Sequence, residues 1–221
     1  MPAHNHTSIS NEHGTPAYVA EKAAEVLGGI DLDPASDATF NTIIKARRFF
    51  TKDDEGLRQA WGTPERPTTV FLNPPGGLLD CNNRVVLRKT ASREACTDTG
   101  DCGLPAWGHV HSGIESAPHV WWRKLLAEFD EGHVSEAIFI GFNLEQLQVM
   151  QVDGARGPLN FPLCFPKKRV DYLKQTPDGL KRGGQPPHAS FVCLISRFTE
   201  WPAFAKAFAS IGRCARPLAA E

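Results

Sequence analysis

Residues 69–76 have the sequence Thr69-Val70-Phe71-Leu72-Asn73-Pro74-Pro75-Gly76. The apolar run at its start predicts a buried strand that ends at Asn73. Because the two prolines fix φ and lack backbone N–H groups, sheet pairing cannot continue, and the carbonyl groups of Asn73 and Pro74 are left without sheet partners. In an open α/β sheet, the carboxyl end of such a strand faces the ligand crevice.

The side-chain oxygen of Asn73 and the carbonyl of Pro74 together offer two acceptors, which suits an NH2 group with its two protons. An exocyclic amine is therefore the predicted target. A rigid turn after a strand would explain the same tetrapeptide, so other parts of the chain have to distinguish the two interpretations.

The composition indicates the class of protein. With 221 residues, of which 41% are hydrophobic, the chain suits one α/β domain with an insertion. We expect a flexible leader at 1–13 and a single domain at 14–221 that contains an inserted loop at 77–118. No stretch is long and apolar enough to span a membrane, which predicts a cytoplasmic protein without a membrane partner. The net charge of -1 does not exclude DNA as a partner, because a local basic surface is sufficient to bind it.

Hydrophobic patterns predict the helices and strands around the Asn73 segment. A helix is expected at Ala17–Leu27, with Thr15 at its cap and Pro16 at its first turn. The other predicted helices are His119–Glu131, Leu144–Met150 and Pro202–Ile211. The other predicted strands are Arg48–Thr51, Val134–Phe142, Phe161–Phe165, Arg169–Leu173 and Ala189–Ser196.

Two acidic segments precede the Asn73 segment. A short strand that begins at Ile30 ends in acidic and small residues, where a doubly wound fold receives a cofactor. These residues are Asp31, Leu32, Asp33, Pro34, Ala35 and Ser36. An acidic turn with Asp53 and Asp54 follows the second strand. A solvated strand end or a helix cap is the alternative interpretation of Asp31 and Asp33.

In this order, the segments resemble the phage-type DNA adenine-N6 methyltransferases. The resemblance runs from about Thr15 to Phe142 and continues more weakly through Phe165–Leu173 and Ser190–Ile195. It is carried by Thr15-Pro16, Asp31-Leu32-Asp33-Pro34-Ala35-Ser36, Phe49-Phe50-Thr51, Asp54, Gly56-Leu57, Trp61 and Phe71-Leu72-Asn73-Pro74-Pro75.

The resemblance implies a Rossmann-like fold that binds S-adenosylmethionine. It places residues 33–36 around the methionine and ribose of the cofactor, and Asp53 or Asp54 near its adenine. The full set of implied cofactor-binding residues is Thr15, Pro16, Asp31, Asp33, Pro34, Ala35, Ser36, Asp53 and Asp54. A carboxylate can accept from a hydroxyl or an amine, and small residues allow the backbone to approach a bulky ligand.

The resemblance also implies the reaction, with Asn73, Pro74 and Pro75 as the catalytic segment. The Asn73 oxygen and the Pro74 carbonyl would accept both protons of the adenine N6 amine and favour a pyramidal nitrogen. The nitrogen lone pair could then attack the sulfonium methyl group in line. No covalent nucleophile is required, and no cysteine lies beside a proline in this turn, which argues against cytosine-C5 methylation.

Gly76 departs from the family, which usually has an aromatic residue at this position that stacks on the extruded base. Base stacking on an aromatic ring contributes about 1–3 kcal/mol, so its loss is expected to weaken base capture by roughly ten- to a hundredfold. Phe142 or Trp121 could supply a substitute ring, although aromatic residues at such positions are often part of the core.

The inserted loop contains a candidate zinc site. Cys96, Cys102, His109 and His111 provide two thiolates and two imidazoles, a ligand set that suits tetrahedral zinc. The spacing is not that of a common zinc finger, and polar loops also contain unligated Cys and His. Basic residues here and further along the chain are candidate phosphate contacts. They are Arg84, Arg88, Lys89, Arg93, Lys167, Lys168 and Arg169.

The sequence therefore predicts a single-domain S-adenosylmethionine-dependent DNA adenine-N6 methyltransferase with an inserted recognition or zinc loop. One alternative is a non-catalytic DNA-binding or regulatory module that retains the fold, for which Gly76 is the evidence. Another is a methyltransferase for a protein glutamine amide, since the same two acceptors can hold any planar NH2 group. The basic residues favour a polyanionic substrate.

Overall fold

The computed structural model describes residues 13–80, 85–86, 114–151, 156–183, 188–199 and 201–217. Within these ranges the strands are β1 (Leu32–Asp33), β2 (Arg48–Phe49), β3 (Thr68–Leu72), β4 (Leu78–Asp80), β5 (Val85–Val86), β6 (Ile114–Ser116), β7 (Val134–Gly141), β8 (Leu163–Pro166), β9 (Leu173–Thr176), β10 (Gly179–Arg182), β11 (Phe191–Ser196) and β12 (Gly212–Ala215). The helices are α1 (Ala17–Leu27), α2 (Ala38–Ile44), α3 (Ala117–Asp130), α4 (Glu145–Val149) and α5 (Trp201–Phe208). None of these helices is long and apolar enough to cross a membrane.

Seven strands form the central sheet in the order β12-β8-β11-β7-β3-β1-β2. Strands β7, β3, β1 and β2 are parallel, whereas β11 and β12 run antiparallel to their neighbours, so β8 points in the same direction as β7. The α/β class is confirmed, and the parallel half of the sheet is compatible with a Rossmann-like fold. We call the edge at which β1, β3 and β7 end the carboxyl edge, and the opposite one the amino edge.

The chain reverses its direction across the sheet between β1 and β3. From β1 it proceeds outward to β2, and then it returns past β1 to form β3 and β7 on the other side. Doubly wound sheets bind their ligands at the carboxyl ends of the strands that flank such a reversal. Asp33 ends β1 and Asn73 directly follows β3, so both predicted segments flank this point.

Helices cover both faces of the sheet. Phe71 and Ile140 pack on the face that α1 and α5 cover, whereas Leu72 and Phe139 pack on the face that α3 covers. Neighbouring residues of one strand fall into different clusters because successive strand side chains point to opposite faces. β7 is buried along nearly its whole length, as a central strand between two covered faces must be.

Helix α1 has the bounds that the sequence predicts, but its N-cap is Pro16 rather than Thr15, and no side chain caps it. Its C-cap, Gly28, has a φ of 67°, a left-handed conformation that glycine adopts without steric cost. The carbonyl of Gly29 accepts a hydrogen bond from the hydroxyl of Thr69, near the start of β3. The helix therefore ends at the amino edge, and its N-terminus lies at the carboxyl edge.

The predicted strand Arg169–Leu173 is wrong except for its last residue. Val170 and Tyr172 are both buried against the α1/α5 face, and their spacing of two residues is also typical of a strand. The N–H of Tyr172, however, donates to the carbonyl of Val170 in a tight turn that breaks the extended backbone. Leu173 then begins β9, which pairs only with β10 among the described strands.

Helix α2 was not predicted by the sequence pattern. The side chain of Asp37 caps it by accepting from the N–H of Phe40 at 2.8 Å. Its short length and β-branched residues weaken the helical periodicity. The helix places Phe40 in the core beside the end of β1.

The predicted insertion at 77–118 has ordered ends. It begins with β4, which pairs with β5 and with β6, and α3 already starts at Ala117. The N–H of Ala117 donates to the carbonyl of Gly77 at 3.0 Å. The two ends of the insertion are therefore held together directly beside the Asn73 segment.

Candidate active site at the carboxyl edge of the sheet

Three side chains lie at the ends of three neighbouring parallel strands. Asp33 ends β1, Asn73 follows β3 and Phe142 follows β7. Residues two positions before Asn73 and Phe142 pack on the α1/α5 face, and the residue before Asp33 packs on the other face. Strand alternation therefore directs all three side chains toward the α1/α5 face.

The strand registers stagger these three side chains. β1 and β3 are paired so that Leu32 is level with Val70, and β3 and β7 so that Leu72 is level with Phe139. When these registers are extended, the amide lies about two residues further out than the carboxylate, and the ring about two residues further out than the amide. The site is thus a line from a buried carboxylate through an amide to a partly exposed ring.

The orientation of the Asn73 amide is fixed by its neighbour. Its Nδ2 lies 2.7 Å from the backbone carbonyl of His13. Because a carbonyl oxygen only accepts, the atom facing it must be the NH2 group, and Oδ1 points away from His13. In the described part of the chain, no donor bonds to Asn73 Oδ1 or to the Pro74 carbonyl. Among the described residues, both acceptors therefore lack a protein donor.

The segment before α1 crosses the carboxyl edge. Gly14 exchanges two backbone hydrogen bonds with Leu173, of 2.9 and 2.8 Å. A Cβ on Gly14 would come within 2.1 Å of the Phe40 ring, so only glycine fits here without displacing that ring. No local pattern predicts that His13, which lies in the predicted leader, orients Asn73. Burial and, to a smaller extent, Lys174 lower the pKa of the His13 imidazole.

Asp33 is a buried carboxylate with few partners. Its side chain is only 3% exposed, and its clearest hydrogen bond is from the N–H of Ala35, at 3.2 Å. Burial raises its pKa to about 7, and the nearby Asp37 adds to the rise, while Ala35 and the Ser36 hydroxyl oppose it. A carboxylate with spare acceptor capacity in a buried position is suited to the hydroxyl or amine of a ligand.

Three further buried side-chain atoms of the described residues have no hydrogen-bond partner. They are Thr15 Oγ1, Ser36 Oγ and Gln146 Oε1. The Ser36 hydroxyl influences the nearby Asp33 carboxylate but makes no hydrogen bond of normal geometry. Thr15 precedes α1, Ser36 follows β1 and Gln146 lies in α4, just beyond the end of β7, so all three are at the carboxyl edge.

Buried polar atoms without partners are rare in folded proteins, and three of them at one edge indicate a ligand that supplies the missing hydrogen bonds. We call the following residues together the carboxyl-edge site: Thr15, Asp33, Ser36, Asn73, Phe142 and Gln146. Gln146 was not among the predicted residues, because a glutamine in a short polar helix normally faces solvent.

The acidic turn lies next to this site. The N–H of Ser36 donates to the carbonyl of Phe50 at 2.9 Å, and the N–H of Phe50 donates to the carbonyl of Asp33 at 3.0 Å. These two bonds tie the end of β1 to Phe50. The carboxylate of Asp54 accepts from both the hydroxyl and the N–H of Thr51, and these two bonds lower its pKa. Asp54 thus caps its own turn, whereas Asp53 is exposed and makes no such bond within the described ranges.

Asp31 is held by the protein itself. One of its carboxylate oxygens accepts from the N–H of Thr69 at 3.0 Å and lies 3.1 Å from the Thr69 hydroxyl oxygen. The other lies 2.8 Å from the guanidinium of Arg47. A structural role explains these contacts, and a role in cofactor binding stays a prediction.

Two rings were candidates to replace the aromatic residue absent at Gly76. Trp121 is 6% exposed and stacks on Trp61 in the α3 core, with centroids 6.1 Å apart, so its ring packs on the face opposite to the one toward which Asn73 points. Phe142, by contrast, lies beside Gly76: a Cβ on this glycine would be 3.6 Å from the ring carbon Cζ. Only one of the two candidates therefore lies at the site.

Basic residues cluster at the same edge. Between 166 and 183 the chain has six lysines and arginines and two acidic residues. The exposed run at 167–169 directly follows β8, whose direction places its end at the carboxyl edge, and three further basic residues lie on the β9–β10 hairpin. Hydrogen bonds of Leu173 join the hairpin to Gly14, which follows the residue that orients Asn73.

The predicted zinc ligands Cys96, Cys102, His109 and His111 lie outside the described residues, as do the basic residues of the insertion. Zinc binding therefore stays a prediction. Within the described ranges, no three His, Cys, Asp or Glu side chains are close enough together to hold a metal ion.

Two surface depressions lie beside α1 rather than over the strand ends. One faces α2 and is lined largely by small and apolar residues, and the other faces the β9–β10 hairpin. Neither includes Asp33, Asn73 or any of the buried atoms without partners. We therefore place the candidate site at the strand ends, where the unsatisfied polar groups are.

Comparisons with known proteins do not assign the chain to a family. No protein-family model matches it, and neither a curated protein nor a solved structure is significantly similar to it. The function has to be inferred from the chemistry of the carboxyl-edge site.

Proposed function

We propose that this protein is a DNA adenine-N6 methyltransferase that uses S-adenosylmethionine. The observation that carries the proposal is the Asn73 amide, whose NH2 group is held by His13 so that its oxygen faces away beside the Pro74 carbonyl. The pair lies at the reversal point of an α/β sheet, next to the buried carboxylate of Asp33.

The residues around the end of β1 fit S-adenosylmethionine. Asp33 can accept from ribose hydroxyls, and Thr15 and Ser36 offer buried hydroxyls that lack protein partners. S-adenosylmethionine supplies a methyl group whose bond to sulfur breaks as a bond to the amine nitrogen forms, sulfur keeps the electron pair, and the nitrogen releases a proton to water. The exposed Asp53 is available for the adenine amine of the cofactor.

Asn73 contributes position and charge stabilisation. Its oxygen and the Pro74 carbonyl accept the two amine protons, which fixes the nitrogen and favours the geometry in which its lone pair leaves the ring plane. Both acceptors also stabilise the positive charge that develops on nitrogen. The rigid backbone of Pro74 and Pro75 keeps the acceptors in place before the substrate arrives.

DNA is the partner that the charge distribution favours. The basic surface at 166–183 is joined to the segment that orients Asn73, and lysine and arginine side chains that contact phosphates supply most of the sequence-independent affinity for DNA. A glutamine side chain in a protein would use the same two acceptors but would not need this positive surface.

The test is transfer of a labelled methyl group to heterogeneous DNA, followed by nucleoside analysis, with wild-type protein and Asn73→Ala. We expect N6-methyladenine from the wild type and a loss of at least about a hundredfold in Asn73→Ala, the order found when a preorganised polar group is removed. Calorimetry should show S-adenosylmethionine binding in both proteins, because Asn73 faces the amine.

Asn160→Ala is the matched control, since Asn160 also uses its side chain in a turn but lies near the start of β8, at the amino edge. It should retain activity. A wild type that binds both DNA and cofactor without transferring methyl groups would indicate the non-catalytic module, and transfer to protein alone would indicate the glutamine-amide enzyme.

A further inference from the structure

Gly76 and Phe142 form a complementary pair at the outer end of the carboxyl-edge site. Among the described residues, the atoms within 4 Å of a Cβ built on Gly76 are Cζ at 3.6 Å and Cε1 at 3.8 Å, both from the Phe142 ring. A methyl group would make ordinary contact there, but a large side chain would extend into the space of that ring. Gly76 and Phe142 therefore provide room for one aromatic side chain between them.

The Phe142 ring is also on the correct side of the amide. It follows β7, the strand beside β3, and its side chain points to the same face as Asn73, about two residues further out. Its inner part packs on the α1/α5 core, and the residue is only partly buried. The core contact holds the ring in one orientation without burying it completely.

A base that is extruded from DNA loses stacking with its neighbours, and an aromatic face in the pocket compensates for part of that loss. The Asn73 and Pro74 acceptors hold only the edge of the base that carries the amine. They leave its planar faces without contacts, so a ring beside them contributes affinity that they cannot supply.

We propose that Phe142 provides the face on which the target adenine stacks, so that the aromatic residue is supplied by the end of β7 rather than by the position after the two prolines. The proposal rests on the proposed function. It assigns to Gly76 the role of leaving room for the ring of Phe142.

The experiment measures kcat and KM for methyl transfer to heterogeneous DNA in four variants beside the wild type. They are Phe142→Leu, Phe142→Tyr, Gly76→Phe and the double variant Gly76→Phe/Phe142→Leu. Leucine keeps apolar bulk against the core but has no aromatic face, and tyrosine keeps the face. Gly76 does not have a positive φ, so a phenylalanine is compatible with the backbone there.

We expect Phe142→Leu to lower kcat/KM for DNA by about tenfold to a hundredfold, mainly through KM, with unchanged binding of S-adenosylmethionine. Phe142→Tyr should stay within about threefold of the wild type. Gly76→Phe alone should not improve activity, because the two rings compete for one space. In the double variant, the ring at position 76 should raise kcat/KM at least about tenfold above the value for Phe142→Leu.

The rescue separates stacking from a structural role, because a ring at Gly76 does not replace core contacts of Phe142. If the wild type methylates DNA and Phe142→Leu has a kcat/KM within twofold of the wild-type value, the proposal is overturned. A double variant that is no more active than Phe142→Leu would also overturn it. A wild type without any methyl transfer would instead refute the proposed function on which the assignment of Phe142 rests.

Discussion

At the amino edge of the central sheet, Lys124, Glu128 and His133 form a buried network in which both Glu128 oxygens have partners. One oxygen bonds to the Lys124 ammonium and the other lies 2.9 Å from Nδ1 of His133. At the carboxyl edge, Asp33 is equally buried, yet its clearest hydrogen bond is from a backbone N–H, and Thr15 Oγ1 nearby has none. Both edges thus bury polar groups of similar kind. Those at the amino edge have side-chain partners for their hydrogen bonds, whereas those at the carboxyl edge largely lack them.

Hydrogen-bond satisfaction distinguishes a structural polar cluster from a ligand site. Unpaired buried polar groups destabilise a fold, so they persist where a ligand completes their hydrogen bonds and where function requires them. The amino-edge network, which consists of Lys124, Glu128 and His133, has the same chemical elements as an active site, but the protein satisfies them internally. Burial and charge alone do not separate these regions, whereas hydrogen-bond satisfaction does.

The largest effect is expected from breaking the amino-edge network. Glu128→Ala leaves the Lys124 ammonium, which is 2% exposed, without its carboxylate. Removing one member of a buried ion pair should lower the free energy of unfolding by about 3–5 kcal/mol, measured by urea denaturation at pH 7. S-adenosylmethionine binding by the folded protein should not change.

The matched control is the double variant Lys124→Met/Glu128→Leu, which removes both charges and should recover most of the lost stability. If Glu128→Ala unfolds within about 1 kcal/mol of the wild type, the network is not a structural element and the comparison between the two edges does not hold.

The second prediction concerns Asp33 and is pH-dependent. Its pKa is raised in the folded protein, to about 7, so the folded state holds a proton that the unfolded state releases. The stabilisation from this proton is complete below the unfolded pKa and is lost as pH rises toward 7. Asp33→Asn lacks this titratable group. Its free energy of unfolding relative to the wild type should therefore increase by about 2–3 kcal/mol between pH 5 and pH 8.

Thermal or urea unfolding of both proteins at pH 5 and pH 8 checks this, and calorimetry at pH 8 should show weaker S-adenosylmethionine binding by Asp33→Asn. Asp31→Asn is the control, because it removes a carboxylate that Thr69 and Arg47 already satisfy, and it should destabilise the protein. An equal stability difference between Asp33→Asn and wild type at both pH values would contradict the shifted pKa.

The smallest effect is expected from Thr15→Val. Replacing a buried hydroxyl that has no partner by a methyl group of the same shape should leave the free energy of unfolding unchanged or raise it by up to about 1 kcal/mol. The affinity for S-adenosylmethionine should fall by about tenfold, the value of one lost hydrogen bond.

Thr69→Val provides the comparison at the amino edge. The hydroxyl of Thr69 donates to the carbonyl of Gly29 at 2.9 Å, so its removal should cost about 1 kcal/mol of stability without affecting the ligand. Equal stability losses in Thr15→Val and Thr69→Val would show that Thr15 has a structural partner after all.

Much of the fold could be predicted because its signals are local. The bounds of α1 follow from Pro16 and Gly28, and the apolar run before Asn73 is the buried strand that the sequence predicts. Errors arose where local signals had no unique meaning: Val170 and Tyr172 alternate like strand residues although a turn joins them.

The candidate site was only partly predictable. Asp31 and Asp33 are two residues apart and equally acidic, and the sequence does not tell which one is satisfied by the protein. Arg47, just before β2, and Thr69, in β3, both bond to the carboxylate of Asp31. Neither bonds to the carboxylate of Asp33. Similarly, Phe142 and Trp121 were equivalent substitutes for the ring absent at Gly76 until packing separated them.

Local sequence signals therefore specify the elements and the chemistry at their ends: a strand that two prolines end, an amide directly after it, and short acidic segments before it. These follow from the φ restriction of proline, from helix caps and from apolar periodicity, all of which act within a few residues. Long-range packing, by contrast, makes His13 orient the Asn73 amide, raises the pKa of Asp33 through burial, and brings Phe142 beside Gly76. Hydrogen-bond satisfaction, desolvation and ring packing depend on residues far apart in the chain, so no local pattern encodes them.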